Sequence, residues 1–235
     1  MGAAAATPVN RIASAVFLFD VDGTLLQAGN PYHHQAMVAA VAEVCGTMPD
    51  VDQVALAGRT DTEILKEMVA RAGASLEPET LPRLFKASIN EFERLCPADL
   101  TDQVITGVVP ALEALFEADA LMGLVTGNIE QIAWRKLAAA GLRRFFRFGA
   151  FGDESGRRAD LPPLAVSRAG RSFQRQDSFV IGDTPLDIDC GLACGMRTIA
   201  VATGRYSIDQ LRECQPYFAC RDLPEFVAAV GDGRL

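Results

Sequence analysis

Four short runs along the chain share one pattern, in which mostly apolar and β-branched or aromatic residues stop abruptly at a small polar loop. Residues 16–19 stop at Asp20-Val21-Asp22-Gly23-Thr24, residues 121–125 at Thr126-Gly127-Asn128, residues 179–181 at Gly182-Asp183-Thr184, and residues 198–202 at Thr203-Gly204. Apolar runs of this length read as strands buried on both faces, the usual state of strands in a parallel sheet. Between them lie stretches with helical spacing: residues 109–118, 129–140 closed by Gly141, 163–169 closed by Gly170, and 187–194 closed by Gly195. Glycine in such a place accepts the left-handed conformation that ends a helix. The alternation predicts an α/β fold with a parallel sheet, and ligands of open α/β sheets gather at the carboxyl ends of the strands. The polar loops would converge there.

One region breaks the alternation. From about residue 31 to residue 100 the spacing is helical throughout, with apolar positions at Met37, Val38, Val41 and Val44, then Ile64, Leu65, Met68 and Val69, then Leu84, Phe85, Ile89 and Phe92. The chain leaves the core near Leu26 and returns near Thr106, so this segment is expected to sit over the carboxyl end of the sheet as a helical cap. The expected division is a Rossmann-like core of residues 1–27 and 104–235, with a cap, residues 28–103, inserted after the first strand.

Composition narrows the possibilities. In 235 residues, 49% are hydrophobic and 22% charged, the balance of a globular chain. Thirty acidic against 22 basic residues give a net charge of -8, which disfavours nucleic acid or an anionic membrane surface as partner. No apolar run approaches a membrane span. Residues 1–7 are Ala-rich without the charged and apolar regions of a signal peptide, so a cytoplasmic protein, monomer or homodimer, is expected. Six cysteines lie scattered with no Cys-x-x-Cys pair and read as reduced, mostly buried thiols. His33 and His34, with no ligand partner at metal-binding spacing, read as surface residues, and Trp134 as packing.

The strongest chemical signal is Phe-Leu-Phe-Asp20-Val-Asp22-Gly23-Thr24, two carboxylates two residues apart between an apolar strand and a glycine turn. It resembles the first motif of the haloacid dehalogenase (HAD) superfamily. The later motifs follow in that family's order. The resemblance implies a magnesium-dependent phosphatase acting on a small phosphorylated metabolite. Asp20 would attack phosphorus and bind the metal, and Asp22 would protonate the leaving oxygen, then activate water against the aspartyl-phosphate. Thr126-Gly127-Asn128 resembles the motif whose hydroxyl and backbone N–H groups hold the phosphoryl oxygens. Gly182-Asp183-Thr184-Pro185-Leu186-Asp187 resembles the acidic motif, so the implied metal set is Asp20, Asp22, Asp183 and Asp187, with hard oxygen ligands suited to Mg2+.

The family's lysine, usually in Lys-Pro ahead of the acidic motif, is missing. Residues 156–163 read Gly-Arg-Arg-Ala-Asp-Leu-Pro-Pro, and Arg158 is the preferred substitute, Arg157 the alternative. In the insertion, Ala57-Gly58-Arg59-Thr60-Asp61 resembles the cap loop of the family's phosphoglycolate-phosphatase-like and β-phosphoglucomutase-like subgroup, which implies that Arg59 would meet the non-reacting end of an anionic substrate. Asp22 argues against dehalogenation, because a halide leaves without a proton. Two alternatives stay open: a phosphomutase, which shares every core residue, and a catalytically weak ligand-binding relative, which the missing lysine suggests.

Overall fold

The computed structural model describes residues 14–232 and 234; the Ala-rich start, on which the signal-peptide reading rests, lies outside them. Six strands, β1 (Val16–Phe19), β2 (Leu121–Thr126), β3 (Gly149–Phe151), β4 (Ser178–Gly182), β5 (Arg197–Val201) and β6 (Phe218–Cys220), form one sheet in the order β3-β2-β1-β4-β5-β6. Every pairing is parallel. β1 lies between β2 and β4, the strands whose ends carry the other two motifs. The strand order reverses at β1, which is where an open α/β sheet forms its ligand crevice.

Successive side chains of a strand face opposite ways, and β1 sorts its residues accordingly. Phe17 and Phe19 enter the cluster built with Leu112 and Leu115 of α4 (Val108–Glu117), Ile132 of α5 (Glu130–Ala139) and Phe226 of α9 (Leu223–Gly231). Phe17 stacks on Phe179 at 5.1 Å between ring centroids. Val16 and Leu18 enter a second cluster with Leu161 and Ala165 of α6 (Leu161–Ser167) and Cys190 of α7 (Pro185–Ala193). The sheet is therefore covered on both faces, which is why its strands read as unbroken apolar runs.

The segment between β1 and α4 holds three helices and no strand: α1 (Pro31–Cys45), α2 (Asp61–Arg71) and α3 (Thr80–Leu95). Their buried faces include Met37 and Val41, Leu65 and Met68, and Leu84 and Phe92, and these are continuous with the core on one side of the sheet. Two short strands, β3 and β6, and α8 (Ile208–Glu213) and α9 are elements that the periodicity did not bring out. The six cysteines are free, but Cys96, Cys190 and Cys220 alone are buried and the other three are half-buried, so the expectation of mostly buried thiols holds for three of them. Among the described residues, no helix is long and apolar enough to cross a membrane.

Candidate active site

Asp20 follows directly on β1, and its N–H donates to the Ile181 carbonyl at 2.9 Å, continuing the sheet pairing for one more residue. That bond sets the nucleophile candidate beside the end of β4, where Asp183 follows. Carboxylate oxygens of Asp20, Asp183 and Asp187 all lie within 4.8 Å of one another, and all three residues are buried. The Thr24 hydroxyl donates to Asp183 Oδ1 at 3.3 Å.

Arg158 reaches this cluster from the short helical turn before α6. Its Nη2 donates to Asp20 Oδ1 at 3.0 Å and to Asp187 Oδ1, and its Nη1 donates to the Gly58 carbonyl at 3.1 Å. Arg157 points elsewhere: its side chain is 79% exposed, with Asp160 4.0 Å away. Asp187 is occupied on both oxygens, since Oδ2 accepts from the Thr184 N–H (3.0 Å) and hydroxyl (2.7 Å) in the capping box that starts α7. It holds Arg158 as well as the helix end.

Burial is the largest influence on Asp20 and pushes its carboxyl up to about 7; repulsion from Asp187 adds to this and Arg158 opposes it. Asp183 is raised in the same way, by burial first, then by Asp187 and Asp20. Carboxylates packed this closely repel one another and favour a bound cation, and an all-oxygen donor set suits a hard divalent ion such as Mg2+. The residues present fit that ion.

Asp22 is not part of the acidic group. Its Oδ2 accepts from Lys136 Nζ at 2.6 Å and from Asn128 Nδ2 at 2.9 Å. Burial alone would raise its carboxyl, but the Lys136 ammonium and these hydrogen bonds hold it below the usual range. The metal set implied by the sequence is thus brought together for Asp20, Asp183 and Asp187, while the Asp22 side chain is turned to a lysine. Thr126 has no exposed surface, and its hydroxyl accepts from the Asn128 backbone N–H (3.4 Å) and Nδ2 (3.2 Å). Gly127 and Asn128 line the cavity above the cluster.

That cavity has a volume of about 630 Å3 and is walled by both the core and the insertion, which contributes Met37, Val54, Leu56 and Arg59. Arg59 lines it with its guanidinium hydrogen-bonded within the insertion: Nη1 donates to Glu67 Oε2 at 2.6 Å and to the Ala55 carbonyl at 3.0 Å, and Nη2 to the Glu63 carbonyl at 3.4 Å. His33 corrects an expectation. It is buried, not on the surface, with Nε2 2.9 Å from Asp61 Oδ2 and Nδ1 3.1 Å from Lys136 Nζ. Spacing carried the signal for both, since Lys136 falls on the same helix face as Ile132, Ala133 and Leu137, and His33 on that of Ala36, Met37 and Ala40. A polar residue repeating in phase with an apolar stripe is a candidate for a buried contact.

Among known proteins, the chain is 25% identical over 228 residues to a phosphoglycolate phosphatase of Agrobacterium fabrum, covering 94% of each chain. It is 23% identical to the pyrophosphatase PpaX of Halalkalibacterium halodurans, covering 91% of this chain and 95% of that one. In fold it is similar to a β-phosphoglucomutase from Clostridium difficile, with a TM-score of 0.71 at 17% identity over 94% of this chain and 98% of that one. A hydrolase from Pseudomonas syringae gives 0.65 at 23% identity, with 93% and 98% covered. The family model described as haloacid dehalogenase-like hydrolase matches residues 17–201, a span running from β1 through β5 and including every acidic residue of the cluster, and the chain belongs to that family.

Proposed function

We propose that this HAD-type phosphatase hydrolyses a small phosphorylated metabolite in two steps, through an aspartyl-phosphate formed on Asp20. The observation that carries the reading is the setting of Asp20, which is buried at the end of β1, fixed by Arg158 and flanked by Asp183 and Asp187, yet lines the cavity. Arg158 occupies Oδ1, leaving Oδ2 for attack on phosphorus. As the Asp20 oxygen–phosphorus bond forms and the ester bond breaks, the leaving oxygen takes a proton that comes from solvent through Asp22, whose carboxylate, kept ionised by Lys136, takes that proton up before giving it over. Asp22 then takes a proton from the water that attacks the same phosphorus, releasing inorganic phosphate and restoring Asp20. Asp20 and Asp183 would hold Mg2+, which neutralises charge between nucleophile and phosphoryl oxygens. Asp187 keeps Arg158 in place, and Gly127 and Asn128, in the cavity wall, would meet the phosphoryl oxygens.

The two relatives named for phosphoglycolate and pyrophosphate support a small, highly charged substrate. Asp20→Asn tests the reading directly. In hydrolysis of p-nitrophenyl phosphate with Mg2+, turnover should fall by several orders of magnitude with the melting temperature near wild type or above. A purified variant that keeps more than about a tenth of wild-type turnover overturns the assignment.

A further inference from the structure

Lys136 lies on the buried face of α5 and has no exposed surface. Lysine is almost never so placed unless its charge is paired. Its Nζ has three partners: Asp22 Oδ2 and Asn128 Oδ1, both at 2.6 Å, and His33 Nδ1 at 3.1 Å. An ammonium group offers three donors and no acceptor, so all three protons are taken and His33 Nδ1 is the accepting nitrogen. His33 then carries its proton on Nε2 and donates it to Asp61 Oδ2, which also accepts from the Ile129 N–H at 2.7 Å. Asp22 is thereby fixed through Oδ2 by Lys136 and Asn128. Its other oxygen, Oδ1, is buried with no hydrogen-bond partner among the described residues.

We infer that Lys136 is a positioning residue for Asp22, holding its carboxyl through Oδ2 in the orientation from which Asp22 moves the proton, and that His33 and Asp61 seat Lys136 from the insertion. This rests on the role given to Asp22 above. Asp22 and Lys136 come from the core, whereas His33 and Asp61 come from the inserted helices, so the third hydrogen bond of the lysine exists only with the insertion docked. The set of the proton-transfer group is in this way tied to the position of the cap.

The test compares wild type, Lys136→Met, Asp22→Asn and the double variant on phenyl phosphate and p-nitrophenyl phosphate with Mg2+. If Lys136 acts through Asp22, Lys136→Met should lower kcat on phenyl phosphate by about 10²-fold, with KM within about threefold. The loss should be smaller on p-nitrophenyl phosphate, whose leaving group needs less protonation, and the double variant should be no slower than Asp22→Asn alone. A single variant within about threefold of wild type, or losses that multiply in the double variant, overturns the inference. Should Lys136→Met fail to fold, His33→Leu replaces it: a kcat loss of about tenfold, absent in the Asp22→Asn background, supports the inference, and no loss or a multiplied one overturns it. Asp22→Asn with wild-type turnover would overturn the acid–base role of Asp22 itself, whereas a slow Asp22→Asn with multiplied losses removes only the role of Lys136.

Discussion

At the scale of single residues, the site turns on which cation meets which carboxylate. Arg158 is buried against Asp20 and Asp187 while its neighbour Arg157 is in solvent, so the two substitutions to alanine should part widely. Arg158→Ala should lower kcat/KM by about 10²- to 10³-fold, the usual loss for a preorganised charge in a closed site. Arg157→Ala should leave it within about twofold, since exposed pairs contribute little. Steady-state assays of both variants check this, and equal losses would sink it. The spacing back from Leu161-Pro162-Pro163 favoured Arg158, but the sequence left Arg157 open because a one-residue shift in a short helical turn reverses which side chain faces inward. Lys136 and His33 were less legible. Their partners, Asp22 and Asp61, lie far away in sequence, and no local motif brings such pairs together. Only their phase with the apolar stripes hinted at burial.

At the scale of elements, the start of α2 is docked on the loops after β2 and β3. The Asp61 N–H donates to the Gly127 carbonyl at 2.7 Å, and the Thr62 hydroxyl donates to the Gly152 carbonyl at 2.5 Å. Thr60 and Glu63 close a capping box that fixes where the helix begins. Backbone meets backbone at this seam, so a Cβ at Gly127 would lie 2.0 Å from the Arg59 carbonyl oxygen. Gly127→Ala should therefore push the insertion off its seat, destabilising the protein by about 1–3 kcal/mol and reducing turnover. Gly156→Ala is the control: its Cβ would meet nothing closer than 3.4 Å, and it should stay within about 0.5 kcal/mol. Thermal melts that show equal stability for the two variants would refute the docking argument. The insertion was readable because helical spacing over residues 31–100 interrupts a strand–helix alternation. β3 and β6 were not, because a three-residue strand is too short to show a period of two.

At the scale of the whole molecule, the buried carboxylates make stability depend on pH and on metal together. Asp20 and Asp183 have folded-state carboxyls raised above the ordinary value, by burial first, and Asp153 is raised likewise. In the window between the unfolded value of about 4 and those raised values, the folded chain binds more protons than the unfolded one. The contribution of these groups is therefore full below the window and is lost as pH rises through it. His34, lowered by burial, works in the opposite direction, but only below its unfolded value of about 6.5. Asp22, held low, is ionised in both states across the window and does not oppose the trend. The metal-free protein should accordingly lose melting temperature between about pH 6.5 and pH 8.5. Mg2+ binding to the ionised cluster should restore it, with a larger shift at the higher pH because fewer protons must be displaced. Asp183→Asn, which removes one of the repelling charges and a ligand together, should raise the metal-free melting temperature at high pH and abolish most of the Mg2+ shift. Calorimetric scans with chelator and with Mg2+ at the two pH values decide the matter. A metal-free melting temperature that is flat or rising, or a Mg2+ shift equal at both pH values and intact in Asp183→Asn, would show that this acidic cluster is not where charge and metal are linked to stability.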